Sequence, residues 1–258
     1  MLPFLRQPFA RQLPSSRAAF ADWLGSAEGT ALLTAETRAL DELLPRLVGC
    51  RALQIGLRAD CNLLASCQLP FQWQLSSLSK QQASLLLQPA ALPLANSCVD
   101  LVLLHHCLDF DDEPYRILAE AGRVLNPGGT LLVVGFNPFS LLGLKRLLQR
   151  RDNPPWSGRF LRAGRVSDWV GVSGLEMQGY VSGFYGRREH GLAQWLGHHL
   201  WQRLGGFYVL VARKQAIPMQ PLLARRRLLG ELPANVITVP AARWQRTRNP
   251  FETGNHLQ

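Results

Sequence analysis

The chain has 258 residues, 47% hydrophobic and 18% charged, a balance that builds a sizeable core and excludes wholesale disorder. No apolar run approaches the roughly 20 residues a membrane span needs, and the N-terminus lacks the apolar core of a signal peptide. The net charge of +10 is unevenly placed: residues 1–50 set five Arg against five acids, 145–188 nine cations against three acids, and 213–258 eight against two.

In chain order, residues 1–29 read as an arm and a helix start. A helix is expected over 15–47, where Ser15 and Ser16 offer caps, leucines recur three and four apart, and Gly49 stops the run. The apolar run Ala52-Leu53-Gln54-Ile55 then breaks at Gly56, giving a strand over 51–56. A short helix is expected at "CNLLASC" with Asp60 as its cap, then strands over 71–75 and 83–88. "CVDLVLLHH" (98–106) is a continuous apolar run, the pattern of a strand buried on both faces. An amphipathic helix follows over 113–125, ended by "NPGG", and a strand over 130–137. Helices are expected over 140–151, 165–175 and 189–204, with strands over 176–184 and 205–214. Strands alternating with helices predict an α/β, doubly wound, mostly parallel sheet with an antiparallel pair of late strands at one edge. Residues 30–214 form this domain, and 215–258 are a basic tail without sustained periodicity.

The five cysteines, Cys50, Cys61, Cys67, Cys98 and Cys107, are odd in number and form no C-x-x-C. They read as reduced, buried thiols of a cytoplasmic protein, with neither a disulfide framework nor a metal site. The basic C-terminal half, including Arg225, Arg226 and Arg227 between leucine pairs, suits nucleic acid or another acidic partner. It equally suits a solvated surface, since 25 of the 28 cations are Arg.

The segments "LQPAALPLANSCVDLVLLHHCLDF" and "EAGRVLNPGGTLLV" together resemble the class I S-adenosylmethionine-dependent methyltransferases, particularly the type 11 group, over roughly residues 30–214. The resemblance implies a Rossmann-like seven-stranded sheet with an antiparallel last strand. It also implies S-adenosylmethionine as cofactor, lying across the C-terminal ends of the first, second and fourth strands.

In that family the first motif is an acid followed by Gly-x-Gly-x-Gly. The matching residues here are Gln54, Gly56, Arg58 and Asp60, so one glycine remains. The acid expected at the end of the second strand matches Gln74, and the acid after the third strand matches Gln88, followed by Pro89 and Ala90. Three carboxylates thus read as three amides, which keep an acceptor and lose the charge. Arg58 either narrows the pocket or pairs with the cofactor's carboxylate.

His105 and His106 end the fourth strand, where family members place substrate-facing groups. One of the two is expected to alternate toward the cleft as a base near neutral pKa, the other to be a satisfied strand-end residue. Asp109, Asp111 and Asp112 read as caps of the next helix or as contacts to a cationic substrate. Asn137 is a candidate for substrate positioning or a turn before Pro138, and Tyr185 a candidate for the substrate mouth. Two functions are therefore expected from these residues: methyl transfer to an unidentified acceptor, with a small molecule favoured, or a catalytically degenerate domain that binds a ligand or partner.

Overall fold

The sheet is built from segments too apolar to face water on either side. β1 (Arg51–Gly56) and β3 (Val99–His105) bury nearly every side chain. β3 lies between β1 and β4 (Leu125–Phe136), and β2 (Phe71–Ser76) flanks β1 on the outside; all four are parallel. β5 (Leu175–Gly183) and β6 (Phe207–Lys214) are antiparallel to each other, and β6 is antiparallel to β4. The order is β2-β1-β3-β4-β6-β5. The structure, a computed structural model, describes residues 13–58, 61–76, 88–140, 158–183 and 205–215, with side chains from Arg17 onward.

Six strands are present among the described residues, where the sequence suggested seven. The strand expected over 83–88 lies outside them except for Gln88, whose isolated bridge to Ala91 closes a turn. The helices expected over 140–151 and 189–204 lie outside them apart from Ser140, as does the tail beyond Gln215. Among the described residues no helix is long and apolar enough to cross a membrane.

The helix expected over 15–47 is two helices and a 3-10 turn: α1 (Leu13–Trp23), α2 (Ala27–Asp41) and Leu44–Arg46. Ser26 forces the break, because its side chain accepts a hydrogen bond from Gly29 N at 3.2 Å and starts a new helix. Gly29 lets the two helices meet, since a Cβ there would stand 2.3 Å from the Trp23 carbonyl oxygen. The helix expected at 61–67 is a set of turns. Asn62 Oδ1 takes Leu64 N at 3.0 Å and Gln54 takes Leu63 N at 2.9 Å, so local side chains compete successfully with helical bonds.

α1 and α2 cover one face of the sheet, where Phe20, Leu24, Leu32 and Leu40 meet Leu103, Val134 and Phe136. Phe20 and Leu24, in the segment read from sequence as an arm and a helix start, are thus in the core. α3 (Pro114–Val124) and α4 (Ala163–Val172) cover the other face, where Ile117, Leu118, Val166 and Val170 meet Leu104, Val133 and Leu210. Of the five cysteines only Cys67 and Cys107 are buried; Cys50 is exposed, and all five are free thiols.

At the N-terminal edge, Asp100 fastens three strands. Its Oδ2 accepts from Cys50 N at 2.8 Å and Arg51 N at 3.0 Å, and its Oδ1 accepts from Asn126 Nδ2 at 2.6 Å. These bonds outweigh partial burial and hold the carboxyl below its ordinary pKa. Replacing it by alanine strands two backbone donors. Asp100→Ala is expected to cost about 1–3 kcal/mol, a fall in Tm of several degrees readable by calorimetry, with no change in ligand affinity at the opposite edge.

Candidate functional site

At the C-terminal edge of β3 two histidines meet a carboxylate from a remote helix. Gly29, Leu32, Glu36 and Leu40 form the buried stripe of α2, so a glutamate stands in an otherwise apolar row and is driven into the core. His105 Nε2 donates to Glu36 Oε2 at 3.0 Å, and His106 Nε2 donates to Glu36 Oε1 at 2.8 Å. His106 Nδ1 donates to Asp109 Oδ2 at 2.9 Å, which also accepts from Phe136 N at 3.1 Å. All four side chains are at most 2% exposed.

Successive strand residues point to opposite faces, so one histidine alone was expected to turn this way. Both do. The strand ends at His105, and His106 adopts the left-handed conformation, with φ of 53°, which swings its ring back to the same carboxylate. Asp109 is part of this network and not a helix cap; Asp111 is no cap either, its Oδ1 accepting from Glu113 N at 2.9 Å in a turn before α3, whose N-cap Glu113 has no side-chain bond.

The partners dictate the protonation states. Burial raises the Asp109 carboxyl above its ordinary value, and His106, held between Glu36 and Asp109, carries protons on both nitrogens. Burial opposes its charge, but Glu36 and the hydrogen bond to Asp109 prevail and raise it to about 9. Burial likewise opposes the Glu36 charge, and the two histidines overcome it, lowering the acid to about 2. The rings of Phe20 (5.3 Å) and Phe136 (4.2 Å) close around the imidazolium. His105 differs: burial dominates and lowers its pKa, so it stays a neutral imidazole. Its Nε2 proton is committed to Glu36, and Nδ1 keeps a bare lone pair with no hydrogen-bond partner among the described residues. Burial pushes the neighbouring Cys107 thiol up to about 12, so it is no nucleophile. Glu36, His105 and His106 also offer three metal-ligand atoms within 4.8 Å of one another, but a cation there would have to displace both Nε2 protons.

Of the residues that the sequence suggested for the cofactor, Gly56 lies beside this centre. A methyl group on Gly56, the last residue of β1, would stand 3.8 Å from His105 Nδ1. Gln54 is buried, with Oε1 accepting from Leu63 N at 2.9 Å and Nε2 donating to the Cys61 carbonyl. Only an amide makes both bonds, so Gln54 closes the loop that follows β1. Arg58 donates to the Ala21 carbonyl at 3.2 Å, at the end of α1. Gln74 is half-buried and pairs with Gln54; the β2 residue level with Gly56 is Ser76, whose hydroxyl donates to the Leu57 carbonyl at 3.0 Å. Gln88, Pro89 and Ala90 line a polar cavity of about 240 Å³ with Arg17, Asp111, Glu113 and Arg116. Asn137 forms the turn after β4, its Oδ1 accepting from Phe139 N at 3.0 Å, and it also lines a second cavity. Asp60 and Tyr185 lie outside the described residues.

Sequence reasoning missed Glu36. The available signal was a charged residue in register with Leu32 and Leu40, which periodicity alone marks as inward-facing.

The network makes stability depend on pH in a definite sense. His106 is raised from 6.5 to about 9, so its contribution is complete below pH 6.5 and lost as pH climbs toward 9. Glu36 is lowered from 4.5 to about 2, so its contribution is complete above pH 4.5 and lost toward pH 2. His105, lowered from 6.5, adds loss below pH 6.5. Asp109, raised above 3.8 by burial, adds a loss of its own as pH rises. Between pH 6.5 and 9 the fall in denaturant midpoints that belongs to His106 is expected to be on the order of 3 kcal/mol, and His106→Gln to remove it.

Comparison with known proteins places this geometry. A methyltransferase-domain family matches residues 55–133. The chain is 33% identical over 186 residues to the uncharacterised protein YafS of Escherichia coli, covering 70% of this chain and 75% of YafS. It is 34% identical over 85 residues to a malonyl-[acyl-carrier protein] O-methyltransferase of Hahella chejuensis, covering 33% of this chain and 30% of the relative. Among solved structures, an S-adenosylmethionine-dependent methyltransferase of Thermotoga maritima shares the fold with a TM-score of 0.54 at 20% identity, over 80% of this chain and 94% of that one. Another from Mesorhizobium loti superposes with a TM-score of 0.50 at 17% identity, over 69% and 96%. The motifs of β3 and β4, the sheet order and these relatives agree, and the chain belongs to the class I S-adenosylmethionine-dependent methyltransferases, with S-adenosylmethionine as cofactor.

Proposed function

We propose that the protein is an active methyltransferase whose acceptor is a small molecule, with His105 as the general base and Glu36 as the residue that orients it. The observation that carries this reading is the state of His105. It is a neutral imidazole at the C-terminal end of β3, its Nε2 proton held by a buried carboxylate and its Nδ1 lone pair beside Gly56. A base needs that combination of availability and fixed tautomer.

When bound, S-adenosylmethionine supplies a methyl carbon made electrophilic by a sulfonium cation. The amides Gln54, Gln74 and Gln88 keep acceptors without counter-charge, and the ionised Glu36 lies at the same edge of the sheet. The loop after Gly56, the β2 end at Ser76 and the turn Gln88–Ala90 are the segments that would hold the nucleoside.

In this arrangement Glu36 fixes the ring of His105, and Nδ1 takes the proton that an oxygen or nitrogen nucleophile releases as it is methylated. His106 stays charged throughout and serves as a fixed electrostatic anchor.

The first measurement is calorimetric binding of S-adenosylhomocysteine; no binding at millimolar ligand would remove the enzyme reading in favour of a partner-binding domain. The second is transfer of label from methyl-tritiated S-adenosylmethionine into metabolite, RNA and protein fractions of a cell extract, with label expected in the metabolites. His105→Gln is expected to keep S-adenosylhomocysteine affinity while lowering turnover about 10²- to 10⁴-fold. The wild-type rate is expected to be flat above pH 6.5 and to fall below it as His105 takes a proton, a limb that His105→Gln lacks.

A further inference from the structure

The second half of the fold holds a cavity that the cofactor site does not use. It has a volume of about 670 Å³, within the range that encloses a drug-sized molecule, and its walls come from β4, β5, β6 and the start of α4. It opens at the same edge of the sheet as His105. His105 pairs with Val134, and the next residue along, Gly135, pairs with Tyr208, which pairs in turn with Ser182. Tyr208 and Ser182 line the cavity, as does Asn137 at the end of β4.

Three features define what would fit. The wall is largely apolar, with Met177, Tyr180 and Leu210 contributing from β5 and β6. Tyr208 is 2% exposed, and its hydroxyl has no hydrogen-bond partner although it is buried. Gly135 makes room for that phenol, since a Cβ there would lie 2.7 Å from the Tyr208 oxygen. That hydroxyl is sealed beside Gly135 and feels the Asp109 charge, so the phenol is a closed wall of the cavity.

The third feature is charge. α4 begins at Ala163 without a side-chain cap, and its first residues, Ala163, Gly164 and Arg165, line the cavity, so uncapped N–H groups face it. Arg162 and Arg165 stand on the same rim, both exposed and neither paired with a carboxylate among the described residues. Arg162 Cζ stands over the Phe139 ring at 4.7 Å from its centroid, and Arg165 Cζ over Trp169 at 5.2 Å. Stacking fixes a guanidinium plane while leaving its edge N–H groups for an oxyanion.

We infer that this cavity is the acceptor site and that the acceptor is an amphipathic organic acid. Its apolar body lies against Met177, Tyr180 and Leu210, and a carboxylate or phosphate group sits between Arg162, Arg165 and the start of α4. This deepens the methyltransferase reading and rests on it only for the word acceptor, because the binding chemistry stands on the cavity alone.

The test uses one tail with four heads. Octanoate, octyl phosphate, octanol and octylamine are titrated into the full chain by calorimetry, with and without S-adenosylhomocysteine. The two acids are expected to bind at least tenfold more tightly than the alcohol, and the amine not to bind. Arg162→Gln with Arg165→Gln is expected to abolish that preference while keeping wild-type S-adenosylhomocysteine affinity. Equal binding of acid, alcohol and amine, or acid binding untouched by the double substitution, would overturn the inference. Acid binding without any S-adenosylhomocysteine binding would leave the cavity assignment standing and remove the methyltransferase reading instead.

Discussion

A carboxylate buried at the centre of a protein must be compensated or it will not stay ionised, and Glu36 meets that demand by accepting from two imidazoles at once. Much of the site follows from this one residue. It converts His106 into an imidazolium, commits the Nε2 proton of His105, and ties α2 to the end of β3 across some 70 residues of sequence. The aromatic rings of Phe20, Phe110 and Phe136 then seal the cluster from water, which strengthens every charge interaction inside it. The helical arm is therefore part of the site and not an accessory to it.

The same network changes how the loss of acids around the cofactor is understood. Carboxylates at the ends of β1 and β2 would place negative charge directly on the nucleoside. Here the residue in the first position, Gln54, is an amide that donates and accepts to close its own loop, a task a carboxylate cannot perform. The shape of the loop thus rests on Gln54, while Glu36 keeps a carboxylate beneath the same edge of the sheet.

The two faces of the sheet are correspondingly divided in labour. The face covered by α1 and α2 carries the ionised cluster, and the face covered by α3 and α4 carries the large cavity with its arginine rim. β4 serves both. Phe136 packs against His106, and one residue earlier Gly135 makes way for Tyr208 on the other side. Because side chains alternate along a strand, a single pair of residues couples the wall of one compartment to the wall of the next.

By itself the sequence marked the central strands, since short unbroken apolar runs such as "LVLL" and "LLVV", bounded by turn residues, suit a sheet covered on both faces, and it determined the family through the spacing of the segments around β3 and β4. It also marked His105, His106 and Gly56, which lie where strands end. Only the tertiary structure decided what these residues do. The break between α1 and α2, the left-handed turn at His106 and the meeting of Glu36, Asp109 and the two histidines depend on contacts between segments far apart in the chain. Local propensity carries no information about such contacts, because the free energy that fixes them, the mutual neutralisation of buried charges, exists only once the pieces have been brought together.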